Sequence, residues 1–78
     1  MANIQKKVFL TFPAKLVREP IIFNIGKNFN VIVNIRGASV SDEIGLVALM
    51  LEGEDKEIEK ALQYLKDKDV IIEPIEED

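Results

Sequence analysis

The segment 29–53 constrains the fold of this chain more than any other part of the sequence. It contains two runs in which apolar residues alternate along the chain, and a polar turn at Ser41-Asp42-Glu43 separates them. Alternation with a period of two is typical of β-strands, and a polar turn between two such runs predicts a hairpin. Asn34 lies within the first run, although asparagine is depleted in strands because its amide competes for backbone hydrogen bonds. We therefore expect Asn34 either to be satisfied locally or to have a function.

Patterns on both sides of this segment complete the order of elements. Residues 7–12 alternate as a strand, and Pro20 suits the first position of a helix, where its missing N–H costs nothing. That helix carries apolar residues at helical spacing, namely Ile21, Ile22, Ile25 and Phe29. A second helix is indicated over 58–65 by apolar residues at i, i+3, i+4 and i+7, and residues 70–73 form a last strand. The order βαββαβ predicts an α+β, ferredoxin-like fold, with a four-stranded antiparallel sheet and two helices on one face.

The length and the missing residue types limit the classes of function. With 78 residues the chain is expected to be one domain spanning 1–78, whose last few residues fray. Cysteine and histidine are absent, which excludes disulfides, His- or Cys-based metal sites and catalysis by a nucleophile with an imidazole base. The acidic residues fall in the turn, the tail and the exposed side of the second helix, where solvated charge is the usual outcome. We expect no enzyme activity, no metal and no cofactor, and a second chain as the remaining aid to the stability of so short a domain.

The charge pattern argues against nucleic-acid and membrane binding. The net charge is −4, and no cluster of Lys and Arg of the kind that binds nucleic-acid phosphates is present in the sequence. The strand predicted over 46–51 has no aromatic residue on which bases could stack. No apolar stretch is long enough to span a membrane, and the N-terminus lacks the apolar segment of a signal peptide. We therefore expect a cytoplasmic location without membrane insertion.

The two helices can cover only one face of the sheet. Alternation assigns to that covered face Val8, Leu10, Phe12, Val31, Val33, Ile35, Val47, Leu49, Leu51, Val70 and Ile72. The opposite face then carries Phe9, Thr11, Ile32, Asn34, Arg36, Leu46, Ala48, Met50 and Ile71. This second face is largely apolar, which suits a surface covered by another subunit or a small ligand, with Phe9, Ile32 and Ala48 as interface residues. The alternatives are a tolerated half-apolar surface and a bulge at Gly37-Ala38 that changes which residues face which way.

Asn34 and Arg36 stand two residues apart, so alternation places both side chains on the same face of a strand. The asparagine amide offers donors and an acceptor, and the guanidinium offers a fixed fork of donors for a carboxylate. Together they could hold the amino and carboxylate groups of an amino acid, whose side chain would pack on Met50, Ala48 or a partner subunit. From the residues alone the alternative is favoured, in which an edge asparagine bonds to backbone and the arginine is solvated or paired with Glu43.

The chain resembles the NIL domain family, a small βαββαβ module named for an Asn-Ile-Leu motif that stands here as Asn34-Ile35-Arg36. The resemblance covers nearly the whole chain and rests also on Pro20, residues 29–31, Gly45, Glu52-Gly53, residues 62–65 and residues 70–73. NIL domains are known as C-terminal regulatory modules on the ATPase subunit of bacterial methionine importers, where a pair of them binds methionine and inhibits transport. They also occur beside iron–sulfur ferredoxin domains.

The resemblance implies an ACT-like homodimer that binds an amino acid near the subunit interface, with Asn34 at the ligand. We place Arg36 and Met50 beside it as further ligand-binding residues. Arg36 replaces the family leucine, which extends the expected ligand from methionine to a related amino acid. The sequence has no phosphate loop or linker of an ATPase, so we expect a free-standing module or one that acts on a partner protein in trans. The expected function is a non-catalytic regulatory module that senses methionine or a relative, and the alternative is a ligand-free interaction module that docks on a metabolic or transport partner.

Overall fold

The computed structural model describes residues 3–16 and 19–75, which form four β-strands and two α-helices. Along the chain they are β1 (Ile4–Pro13), α1 (Ile21–Asn28), β2 (Val31–Val40), β3 (Ile44–Gly53), α2 (Asp55–Asp67) and β4 (Ile71–Pro74), with a short 3-10 turn at Ala14–Leu16. The strands form an antiparallel sheet in the order β2-β3-β1-β4. This confirms the predicted βαββαβ order and the α+β, ferredoxin-like fold. The expected fraying of the last residues concerns 76–78, which lie outside the described part of the chain.

The hydrophobic core lies between the helices and one face of the sheet. Alternate residues of the two central strands point into it and are almost fully buried, namely Val8, Leu10, Leu49 and Leu51. The apolar stripes of the helices complete it with Ile21, Ile25, Ile58, Ala61 and Leu65. Because burial of each Val, Leu or Ile side chain contributes about 1.5–3 kcal/mol, this face of the sheet is the one on which stability depends.

The β2–β3 hairpin extends beyond the helices and contains a bulge. A helix of eight residues such as α1 is about 12 Å long, whereas a ten-residue strand spans about 33 Å, so α1 covers only the start of β2 and residues 34–40 are exposed. The prediction that Ile35 is covered is therefore wrong, since this residue is 58% exposed. The register shifts between Ile35 and Gly37, next to the Gly37-Ala38 pair named above. As a result Val40, opposite Gly45, lies on the helix side of the sheet.

The ends of α1 differ by one residue from the prediction. Pro20 is the N-cap rather than the first helical residue, and its carbonyl accepts a hydrogen bond from the backbone N–H of Asn24 at 3.0 Å. Phe29 follows the helix instead of belonging to its last turn. Its ring packs against Tyr64 of α2 with the centroids 5.7 Å apart, so the two helices are linked by an aromatic contact at the point where the chain turns into β2.

The C-terminus of α2 is closed by a Schellman motif. The backbone N–H of Asp69 donates to the carbonyl of Lys66, and that of Val70 donates to the carbonyl of Leu65, each at 3.0 Å. This pattern places Asp69 in the left-handed region at φ 68°, where glycine is the usual residue. The Asp69 carboxylate pairs with the ammonium of Lys15 at 3.0 Å, so the helix end is also tied to the turn after β1.

The start of β2 is held against α2 and β3. The backbone N–H of Asn30 donates to Glu57 Oε1 at 3.0 Å, and Lys60 Nζ donates to Glu57 Oε2 at 3.0 Å. The hydrogen bond from Asn30, followed by that from Lys60, lowers the pKa of the Glu57 carboxyl. On the other side the Asn30 carbonyl oxygen lies only 3.0 Å from where a Cβ on Gly53 would be. These contacts position the strand that carries Asn34 four residues further on.

Candidate functional site

The sheet face turned away from the helices, called the open face below, carries Asn34 and Met50 of the predicted ligand-binding residues. It consists of the odd-numbered residues of β1, the even-numbered residues of β3 and the residues of the outer strands that pair with them, among them Ile32, Asn34, Ser39, Ile71 and Glu73. Phe9, Ala48 and Met50 are half-buried at its centre, whereas Ile32 and Ile71 are 57% and 59% exposed. Phe9, Ile32 and Ala48 share this face, as alternation predicted, and their role in an interface stays a prediction.

Asn34, Met50 and Lys7 form a row across three strands of the open face. In the register of the sheet Asn34 lies directly opposite Met50, and Met50 lies directly opposite Lys7. Neighbouring strands are about 4.8 Å apart, and directly opposed Cβ atoms are about 4.5–5.5 Å apart. Asn34 is exposed at the edge, and Met50 and Lys7 are half-buried. The row therefore places the side chains of an asparagine, a methionine and a lysine next to one another on the open face.

Arg36 occupies the bulge in β2. The register passes from Ile35, opposite Leu49, to Gly37, opposite Ala48, so Arg36 has no directly opposed residue on β3. The alternation that placed Arg36 on the same face as the motif asparagine does not hold across such a bulge. Arg36 is exposed, and its participation in a ligand site stays a prediction.

Lys7 and Glu52 lie on the open face but were not among the predicted site residues. Lys7 precedes Phe9 by two positions, and Glu52 follows Met50 by two positions, so each lies on the same face as its neighbour. The Glu52 carboxylate accepts a hydrogen bond from Gln5 Nε2 at 3.2 Å. Lys7 is the first residue of the alternating run over 7–12, and Glu52 is the next residue after the run over 46–51, so alternation alone places both on this face.

An apolar cleft lies on the other side of the sheet, away from this row. It has a volume of about 170 Å³ and is bounded by the start of α1 and by the β2–β3 hairpin. Phe12, Ile21, Val40 and Val47 are among its lining residues, and of the described residues that line it only Glu19 is charged. The cleft has little polar chemistry to orient a ligand, and the predicted site residues are not part of its lining.

Within residues 3–16 and 19–75, no group of three or more acidic side chains is close enough to hold a metal ion. No helix in that part of the chain is both long enough and apolar enough to cross a membrane.

Comparison with known proteins identifies the family. Residues 6–74 match the NIL domain. The chain is 31% identical over 74 residues to the methionine import ATP-binding protein MetN of Bacillus subtilis. This alignment covers 90% of this chain and 22% of that protein. It is 36% identical over 61 residues to the methionine import ATP-binding protein MetN 2 of Bacillus anthracis, and this alignment covers 73% of this chain and 18% of that protein. The chain thus spans about a fifth of the length of these relatives.

The fold comparison agrees with the sequence comparison. The C-terminal domain of an ABC transporter/ATP-binding protein from Enterococcus faecalis superposes with a TM-score of 0.78 and 27% identity, over 94% of this chain and 86% of that chain. The chain therefore belongs to the NIL domain family and is homologous to the C-terminal domain of MetN methionine importer ATPases.

Proposed function

We propose that this chain is a non-catalytic regulatory module of the cytoplasm that binds methionine or a related amino acid as a homodimer. The observation that carries the proposal is the direct opposition of Asn34 and Met50 on the solvent-facing side of the sheet, next to the apolar residues Phe9 and Ala48. The motif asparagine offers both a donor and an acceptor to the polar end of an amino acid. The thioether of Met50 is a polarizable surface for an aliphatic or thioether side chain. Two relatives are named as methionine import proteins, which supports methionine as the first ligand to test.

The exposure of the open face supports the proposal of a homodimer. Small-molecule sites bury about 70–90% of the ligand surface, and a sheet face without walls covers only one side of a ligand. A second copy packed on Ile32 and Ile71 would supply the missing wall and would also remove these two exposed side chains from water. The ligand would then lie between subunits, and its binding would stabilise the pair.

Thermal unfolding with and without L-methionine tests this function, with a panel of other amino acids for comparison. Ligand at a hundredfold excess over its dissociation constant adds about 2.7 kcal/mol, which for a domain of this size raises Tm by on the order of 10 °C or more. We expect a selective rise for wild-type protein and no rise for Asn34→Ala. Ser39→Ala is the matched control, because Ser39 is an exposed polar residue of the same strand opposite Leu46. A panel in which no amino acid raises Tm would refute the sensor function.

The second candidate is a ligand-free module that docks on another protein. The outer edge of β2 favours it, since this strand ends the sheet and its residues 31–35, before the bulge, include no charged residue and no proline, which leaves this stretch open to strand addition. In that case Asn34→Ala is nearly silent, whereas Met50→Glu disrupts the assembly. Analytical ultracentrifugation shows whether each variant keeps its assembly. The thermal response to L-methionine then separates the two functions, because only the sensor loses a ligand response on Asn34→Ala while its dimer stays intact.

A further inference from the structure

We propose that a second copy of this chain docks on the apolar cleft beside α1, and that each copy inserts Phe23 into the cleft of the other. This interface lies on the helix side of the sheet, away from the open face, so it is independent of the proposed function. Three features of the molecule support it: the size of the cleft, the exposed side chains at its margin and the charges beside it.

The cleft has the size of one aromatic ring. Its volume is about 170 Å³, and an apolar cavity of about 150 Å³ is large enough to bind benzene. Phe12, Leu16, Ile21 and Val47, four residues of the hydrophobic core, are among its lining residues, so the cleft opens directly onto the core. A phenyl ring placed in it would contact apolar groups on several sides and would give up no hydrogen bond.

The most exposed apolar side chains of the described residues lie at the margin of this cleft. Phe23 is 67% exposed and Val40 is 62% exposed, more than any other large hydrophobic residue in the described part of the chain, and both line the cleft. Single exposed hydrophobic residues are common on protein surfaces. Here, however, a phenyl side chain lies beside a hollow that fits a phenyl ring, and such a combination is typical of a contact surface.

The ring and the hollow belong to the same surface, which is the condition for a symmetric pair. In a dimer with two-fold symmetry, each contact occurs twice with the roles of the two copies exchanged. When Phe23 of one copy enters the cleft of the second copy, Phe23 of the second copy therefore enters the cleft of the first. Both rings and the neighbouring Val40 side chains then leave water, and removal of apolar surface from water is the main driving force of association.

The charges at the margin of the cleft are complementary under the same symmetry. Lys27 follows Phe23 by four positions, so both side chains lie on one side of α1, and the Lys27 ammonium group lies 6.0 Å from the centroid of the Phe23 ring. Glu19 is the one charged residue among the described lining residues. Its carboxylate lies 3.7 Å from Lys68 Nζ, and because an exposed pair of this kind contributes little, Glu19 can accept a second cation. Lys27 of the other copy, which arrives together with Phe23, supplies it.

Sedimentation velocity of the full chain over a concentration series tests this interface. In Met50→Glu, which removes association through the open face, we expect a reversible dimer. Phe23→Ala in that background should weaken dimerisation about tenfold or more, as for truncation of an aromatic residue at the centre of an interface. Because Phe23 is exposed, its truncation should leave the far-UV circular dichroism spectrum unchanged.

Charge reversal tests the pairing of Lys27 with Glu19. In the same Met50→Glu background, Lys27→Glu and Glu19→Lys should each weaken dimerisation, because each brings like charges together, and the variant with both changes should recover most of the affinity. Lys56→Glu is the matched control, since it changes the net charge equally at an exposed position of α2 and should have no effect. An equal loss for Lys56→Glu, or no recovery in the variant with both changes, would overturn the pairing.

The outcomes distinguish this interface from the proposed homodimer. If Met50→Glu stays monomeric even at about 1 mM, where weak interfaces are populated, or if Phe23→Ala leaves its dimer equally stable, this inference is wrong and the proposed function is unaffected. If Phe23→Ala alone makes the chain monomeric while Met50→Glu alone stays a dimer, the interface at the cleft is supported and the homodimer through the open face is wrong.

Discussion

A methyl group added at Gly53 would lie close to the backbone that leads into β2, so Gly53→Ala tests how tightly the start of β2 is held. A Cβ at this position would lie 3.0 Å from the Asn30 carbonyl oxygen and 3.4 Å from Val31 Cγ1. The nearer atom belongs to the backbone, and the N–H of the same residue is hydrogen-bonded to Glu57 at 3.0 Å. The neighbour therefore moves aside only by disturbing a contact with α2. The perturbation is steric, because Gly53 is not in the left-handed region.

Gly37→Ala is the matched substitution in the neighbouring strand. A Cβ at Gly37 meets nothing within 4 Å, and this glycine also has no positive φ. Both substitutions reduce the conformational entropy of the unfolded chain and should gain about 0.4–1 kcal/mol from it. Overpacking a closely packed position costs about 1–3 kcal/mol, and only Gly53→Ala incurs it. The free energies of unfolding of the two variants should thus differ by about 2 kcal/mol. Gly37→Ala should be slightly more stable than the wild type, and Gly53→Ala should be less stable.

Urea and thermal denaturation followed by far-UV circular dichroism would measure this difference. For a domain of this length about 2 kcal/mol corresponds to a difference in Tm on the order of 10 °C. The urea m-value should stay the same in both variants, because neither changes the surface exposed on unfolding. If Gly53→Ala is as stable as Gly37→Ala, the corner between α1 and β2 accommodates the added methyl group without loss of stability, and this corner is not rigid.

Two further predictions concern α2. Asp69→Gly should raise the free energy of unfolding by about 0.5–1 kcal/mol, since glycine adopts the left-handed conformation without strain. Asp69→Asn is the control, because it removes the exposed ion pair with Lys15. A larger loss of stability on Asp69→Gly than on Asp69→Asn would contradict the prediction. Glu57→Gln should lower stability near neutral pH. The native pKa of Glu57 is lowered from its ordinary value of 4.5, so the wild-type contribution is present above that value and is lost as the pH falls below it. The free energies of unfolding of the wild type and Glu57→Gln, measured by denaturation from pH 7 to pH 3, should therefore converge at acid pH. A difference in stability that stays constant with pH would show that the carboxylate charge is not responsible.

The order of the elements could be predicted because local patterns decide it. The alternation over 7–12 and the helical spacing over 58–65 both come from residues that the fold buries, such as Leu10 and Ile58. Burial requires these residues to be apolar, so the pattern is present in the sequence before any contact is known. Ile35 was placed wrongly because alternation identifies a face of a strand and does not show how far a helix extends over it.

The site was predictable only in part. The motif asparagine and Met50 lie opposite each other as residues of two regular strands, and alternation places both on one face. Arg36 lies in a bulge, and one unpaired residue interrupts the period of two on which the inference depends. Alternation assigns a residue to a face but does not show which residue of another strand it lies beside. The register brings Lys7 opposite Met50, and register between distant strands is not encoded in a local pattern.

The division of the sheet into two faces makes binding and stability separable by experiment. The buried apolar residues of β1 and β3 lie on the helix side, and substitutions at Asn34, Lys7 or Glu52 remove no fully buried apolar group. Exposed or half-exposed substitutions of this kind usually change stability by about 0.5 kcal/mol or less, which is small compared with the roughly 2.7 kcal/mol that saturating ligand adds. A variant of the open face that keeps the wild-type Tm without ligand and loses the rise with ligand is therefore defective in recognition. For this chain the same thermal measurement distinguishes a residue that binds from one that supports the fold.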